Sequence, residues 1–199
     1  MSHCPAPLTA ARSVIRGETL PIFIRGLTAA VKGSADAQQR IADLQAMSKP
    51  LSATAAPIVS LRITGLEIRQ LEIDAVLHAA KGNFVEAVEL LRKATALDDS
   101  LPPPSGPPSL IKPAHELLGD VLLRAGRPKE AAQQFDISLL REPSRARSLL
   151  GAARAAAKLG DAERANVAYA NFLRQWQQAD LALPELREAQ NYLKEARLR

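Results

Sequence analysis

Gly126-Arg-Pro-Lys-Glu-Ala131-Ala-Gln-Gln-Phe135 sets a glycine, an alanine five positions on, and a large apolar residue four positions after that. The same spacing returns 34 residues downstream at Gly160, Ala165 and Tyr169, and 44 residues upstream at Gly82, Ala87 and Leu91. The ten surplus residues of the longer interval are Leu-Pro-Pro-Pro-Ser-Gly-Pro-Pro-Ser-Leu, Leu101 to Leu110. Proline lacks the amide donor and fixes φ, so that stretch reads as a loop. Each repeated glycine has a mechanical meaning: a helix ends, glycine supplies the left-handed residue past its terminus, and a short turn opens the next helix. The alanine at a fixed offset lets two paired helices approach closely.

This pattern resembles the tetratricopeptide repeat family, whose 34-residue unit is a pair of antiparallel helices with small residues at positions eight and twenty and a proline near the end. In that register the repeats run 68–101, 112–145 and 146–179. Position eight is Ala75, Gly119 and Ala153, all small, and the terminal proline is Pro143 in the second repeat, with Asp99 and Gln177 in its place elsewhere. The aromatic signature at position four is replaced by Leu71, His115 and Leu149. The resemblance implies an all-α fold: a right-handed superhelix of stacked antiparallel hairpins.

Upstream, Phe23 to Val31, Gly33, Ile41 and Leu44 read as a degenerate hairpin with Gly33 as its turn. Pro57 then opens a helix over Ile58 to Lys81, about 36 Å long at 1.5 Å per residue. Its Ile58, Val59, Ile63, Thr64, Ile68 and Gly65 each lower helix propensity. Downstream, Pro184 opens an amphipathic helix with Leu186, Ala189 and Leu193 on one face and Glu185, Arg187, Glu188, Lys194 and Glu195 on the other. The expected organisation is a degenerate N-terminal hairpin (1–57), three tetratricopeptide-like repeats (58–179) with a proline-rich insertion at 101–113, and a C-terminal capping helix (180–199), in one continuous solenoid.

Composition agrees with a folded, helical chain: 47% hydrophobic, 24% charged and only 4% aromatic. The net charge of +5 is unevenly spread, +3 over residues 1–57, −2 over 58–140 and +4 over 141–199. A basic end raises encounter rates with acidic partners, yet no stretch has the character of a nucleic-acid-binding tail. Cys4 stands alone, so no internal disulfide forms, and no run approaches the roughly 20 apolar residues that span a bilayer. The amino terminus lacks the apolar core of a signal peptide, and the expected location is cytoplasmic.

Motifs that carry chemistry are incomplete. His115-Glu116 begins like a zinc-protease motif, but position 119 is Gly where the second histidine belongs. Met1-Ser2-His3 has the spacing of an amino-terminal copper or nickel site, which removal of Met1 would spoil, and Cys4 has no base to activate it. The glycines sit singly, with no phosphate loop or nucleophile elbow. The proline-rich stretch could present a polyproline ligand, but its internal Ser105-Gly106 favours a rigid insertion. The expectation is a binding protein that is not an enzyme, with no metal or cofactor.

In peptide-binding members of the family, positions two, five, nine and twelve of the first helix face the groove. The charged residues there are Arg69 and Glu72 in the first repeat, Glu116 and Asp120 in the second, and Arg147 and Arg154 in the third, with Lys158 one turn further on. Arg147 and Arg154 lie two turns apart on one helical face and make a basic stripe suited to a carboxylate, since the guanidinium fork donates two parallel hydrogen bonds. The asparagines with which chaperone-tail-binding relatives clamp a terminal carboxylate are missing here. Glu116 and Asp120 are also placed to pair with Arg147 and Arg154, which would make the arginines part of the scaffold. The implied function is a scaffold for a protein or peptide, acidic by charge; the alternatives are a self-associating or supporting domain and, more weakly, nucleic-acid binding. Replacing Ala131 by Leu is expected to cost about 1 to 3 kcal/mol through overpacking, and an unchanged melting curve would show the register to be wrong.

Overall fold

Four helix ends in this chain are closed in the same way. In the computed structural model, which describes residues 19–49, 51, 57–102, 112–179, 183–196 and 198, Gly33, Gly82, Gly126 and Gly160 all have φ between 67° and 82°. The amide after each glycine (Ser34, Asn83, Arg127, Asp161) donates to the carbonyl five residues earlier (Ala29, His78, Leu122, Ala156) at 2.9–3.0 Å. That bond satisfies a carbonyl at the helix end, and glycine reaches the left-handed conformation with no Cβ penalty. A new helix starts two residues after three of the glycines and three after Gly33. Asp161 caps its successor by accepting from the Arg164 amide at 3.0 Å, and Pro128 takes a first-turn position where no amide is needed.

Among the described residues there are nine helices and no strand, and none of the helices is long and apolar enough to cross a membrane. The chain divides into two units, Met1–Pro102 and Pro103–Arg199. In the first, α1 (Thr19–Val31) and α2 (Asp36–Ser48) form a hairpin that packs on α3 (Pro57–Ala80), and α3 pairs with α4 (Phe84–Ser100). In the second, α5 (Ala114–Arg124), α6 (Pro128–Arg141), α7 (Ala146–Leu159), α8 (Ala162–Gln175) and α9 (Pro184–Ala196) each pack on the next, and α5 also touches α7. The Met1 to Cys4 segment and most of the proline-rich insertion, residues 103–111, lie outside the described residues.

α3 forms despite its β-branched first half because tertiary burial outweighs propensity. Leu66, Ile73 and Leu77 are sealed in the first unit's core, whereas Ile58 and Leu61 at the start remain exposed. The repeated positions behave as their spacing demands: Ala87, Ala131 and Ala165 are fully buried, and Leu91, Phe135 and Tyr169 beside them are at most 3% exposed.

Two contacts fix how closely helices approach. In the first unit a Cβ on Gly26 would stand 2.4 Å from Ile73 Cδ1, so α1 meets α3 through bare backbone. In the second the Phe135 ring lies between α5 and α7, where a Cβ on Gly119 would fall 2.8 Å from it and one on Gly151 2.3 Å. Phe135 is therefore a knob whose hole is made by two glycines.

Gly151→Ala is expected to destabilise the protein by about 1 to 3 kcal/mol, since neither ring nor backbone can retreat inside a close-packed core. Adding Phe135→Leu to that variant should recover part of the loss. Gly65, in the interior of α3 with nothing within 4 Å of an added Cβ, offers the opposite case: Gly65→Ala should stabilise by about 0.5 to 1 kcal/mol. Urea melts of these variants beside the wild type check the signs.

Candidate ligand-binding groove

The seven charged groove residues expected from the sequence separate into buried, engaged and exposed groups. Glu72 is in the first group, inside the first unit, and Arg69 lies half-buried on the same helix. One Arg69 Nη donates to Thr19 Oγ1, and the guanidinium carbon lies 5.8 Å from the centre of the Phe23 ring. Burial lowers the Arg69 pKa, and Glu72 opposes that shift. Glu72 is only 3% exposed; burial first, then the negative charge of Asp98 on α4, push its carboxyl up to about 8 against the pull of Arg69. Glu72 is therefore interior, with Arg69 half-buried.

Glu116 is also interior, at 0% exposure. Its Oε2 accepts from Arg145 Nε and from Ser148 Oγ, both at 2.7 Å, and Ser148 Oγ lies 2.9 Å from Ser138 Oγ. Arg145 is held from its other side by Glu142 at 2.7 Å. The cation that answers Glu116 is therefore Arg145 rather than Arg147. The reason is angular: Arg145 caps α7 in extended backbone and reaches across to α5, whereas Arg147, two residues into a helix of 100° per residue, faces away. His115 is buried with Nδ1 2.8 Å from Gln134 Oε1, the position of a packing residue.

Asp120 is engaged by Lys112 from just before its own helix. Arg154, expected to meet Asp120, feels its charge but bonds elsewhere: Nε and Nη2 donate to the two Glu188 carboxylate oxygens at 2.8 and 2.6 Å. The Tyr169 hydroxyl donates to the same carboxylate at 2.9 Å. Three donors from α7 and α8 thus converge on one anion from α9. The bonds from Arg154 hold the Glu188 pKa below its ordinary value, and those to Glu188 raise that of Arg154. Burial, then the neighbouring Glu188, push the Tyr169 phenol up, so it stays a donor.

Glu188 is the main residue that sequence reasoning misplaced, on the solvent face of the last helix. It sits beside Ala189, which is fully buried, so it flanks the seam rather than opposing it. Its signal was available as a carboxylate next to a small core residue. Arg147 and Lys158 complete α7's charged face as exposed side chains that no hydrogen bond or ion pair engages among the described residues. In the first unit, a shallow pocket of about 450 Å³ on the α1–α2 hairpin is lined by Arg25, Lys32, Asp36 and Arg40, of which Arg40 is paired with Asp43 at 2.8 Å.

Comparison of the chain with protein-family models, with curated proteins and with solved structures found no match.

The buried carboxyl generates a pH test. Glu72 has its folded pKa above its ordinary value of 4.5, so the folded state holds the proton more tightly than the unfolded one. Stability therefore falls as pH rises from about 4.5 to about 8. Glu72→Gln removes this slope: denaturant midpoints of variant and wild type should converge at pH 5 and separate in the variant's favour by pH 9. Parallel pH profiles would show that Glu72 stays ionised throughout.

Proposed function

We propose that this chain is a protein-interaction scaffold of the tetratricopeptide type, not an enzyme, whose second unit holds an acidic peptide or partner helix against α7. In this reading the hairpins within each unit stack in the right-handed sense of the repeats they resemble, and the first helix of each hairpin faces the groove. Support comes from four helix ends closed by the same bond, and from the close helix approaches at Gly26, Gly119 and Gly151.

The observation that carries the proposal is the convergence of Arg154 and Tyr169 on a carboxylate. A planar guanidinium and a phenol held by the helices beneath them form a receptor for one anionic group. Arg147 lies two turns before Arg154 and Lys158 one turn after, both exposed, so a ligand bearing several acidic groups meets further cations along the same helix. Such exposed charges mainly steer encounter and set salt dependence.

A second reading, self-association, is favoured by the exposed Ile58 (57%) and Leu61 (38%) at the start of α3. Light scattering over a concentration series tests it: a constant monomer mass removes it.

Affinity capture from the native host extract identifies the partner. Arg147→Ala with Arg154→Ala should then weaken binding at least tenfold while leaving helical content intact. Unchanged affinity, or a double variant that unfolds, would assign both arginines to the scaffold.

A further inference from the structure

The carboxylate receptor on α7 and α8 is already filled from within the chain. α9 docks on α8 through Leu186 and Ala189, which are 2% and 0% exposed, and the Tyr192 ring lies 4.7 Å from that of Tyr169. Glu188 then reaches past α8 to Arg154 on α7. Along α9, the docking pattern is an apolar residue, a carboxylate two positions later, a small residue next, and an aromatic three positions beyond. Gln190, Asn191, Lys194 and Glu195 stay exposed on the opposite side.

This attachment is slight for a permanent part of a core. The helix has 13 residues, only two of them buried, and an isolated helix of that length is marginal in water. The Arg154–Glu188 pair is 39% and 35% exposed, so salt and solvent screen it. Elements with few buried apolar contacts open at lower free energy than the core around them. The receptor, by contrast, belongs to α7 and α8: Ala152, Ala153, Ala155 and Ala156 bury the helix that bears Arg154, and Ala165 and Phe172 are buried on the helix that bears Tyr169.

We propose that α9 is a built-in competitor: its Glu188 fills the carboxylate site made by Arg154 and Tyr169, and the partner is an amphipathic helix of the same pattern that binds by displacing it. The proposal rests on the groove reading above and adds two things to it, the chemistry of the ligand and the control of access. The energy of displacing α9 is subtracted from the partner's intrinsic affinity, so only a better match to the same seat binds, or one that adds contacts to Arg147 and Lys158.

The test uses the full chain and a labelled peptide copying residues 183–196, followed by fluorescence anisotropy. Glu188→Gln should bind the peptide at least tenfold more tightly than wild type, because the tethered competitor has lost its anion while the added peptide retains one. Arg154→Ala or Tyr169→Phe introduced beside Glu188→Gln should reverse the gain, as should high salt. Equal binding to wild type and Glu188→Gln, including none to either, overturns the competition. Tight binding to Glu188→Gln that survives Arg154→Ala overturns the carboxylate site and the groove reading with it. Hydrogen exchange on the wild-type chain decides between a competitor and a cap even where a variant fails to fold. Amides of residues 186–196 should exchange well before those of 150–156 and 165–172; exchange of α9 only with global unfolding makes it a permanent cap and sinks the proposal.

Discussion

The ring of Phe135 pressed against the bare backbone of Gly119 and Gly151 is the contact on which the second unit depends. Helices normally pack 8 to 10 Å apart according to the side chains between them. Here one helix contributes a full aromatic ring and its two neighbours contribute hydrogen atoms, so α5, α6 and α7 close around a single knob. Gly26 and Ile73 apply the same device to α1 and α3 in the first unit. Once α5 and α7 are drawn to this distance, everything else on them is placed. Arg145 comes within reach of Glu116, and the next turns of α7 carry Arg154 to where Tyr169 and α9 can meet it.

Two carboxylates, Glu72 in the first unit and Glu116 in the second, show how a buried acid is accommodated in two ways. Glu116 has one oxygen fully used by a guanidinium and a hydroxyl, within a network that also takes in Ser138 and Glu142. Donors were buried with that oxygen, whereas Glu116 Oε1 is buried with no hydrogen-bond partner among the described residues. Glu72 has Arg69 nearby but Asp98 as well, and burial tips it toward the neutral acid. The first arrangement ties three helices together. The second leaves a group whose state depends on the solution.

The charged faces of the second unit follow a related division. Lys112, Asp120, Arg154 and Glu188 neutralise one another across α5, α7 and α9, while Arg147 and Lys158 stay in solvent. Under the proposed competition, a partner's carboxylate would replace one already present, and specificity would lie in the apolar and aromatic positions around it rather than in charge alone.

The hairpins were legible in the sequence because what makes them is local. A glycine past a helix end, an i to i−5 bond, a proline at a first turn and an apolar stripe of period 3.6 all act over a few residues, and Gly82, Gly126, Gly160, Ala131 and Leu186 carried those signals in their spacing. The burial of Phe135 followed from the same register. The choice of partners did not. Glu116 and Arg145 are 29 residues apart and Arg154 and Glu188 are 34, and which cation meets which anion depends on the rotation of each helix about its axis. One residue of helix turns a side chain through 100°, enough to exchange Arg147 for a buried role and Arg145 for an exposed one. That rotation is set by the glycines against Phe135 and by the seating of Leu186 and Ala189, contacts between helices that no local pattern contains. The sequence by itself therefore determined where helices begin, end and must touch; tertiary packing alone decided that Glu72 is interior with Arg69 half-buried, that Glu116 belongs to Arg145, and that the carboxylate on Arg154 comes from α9.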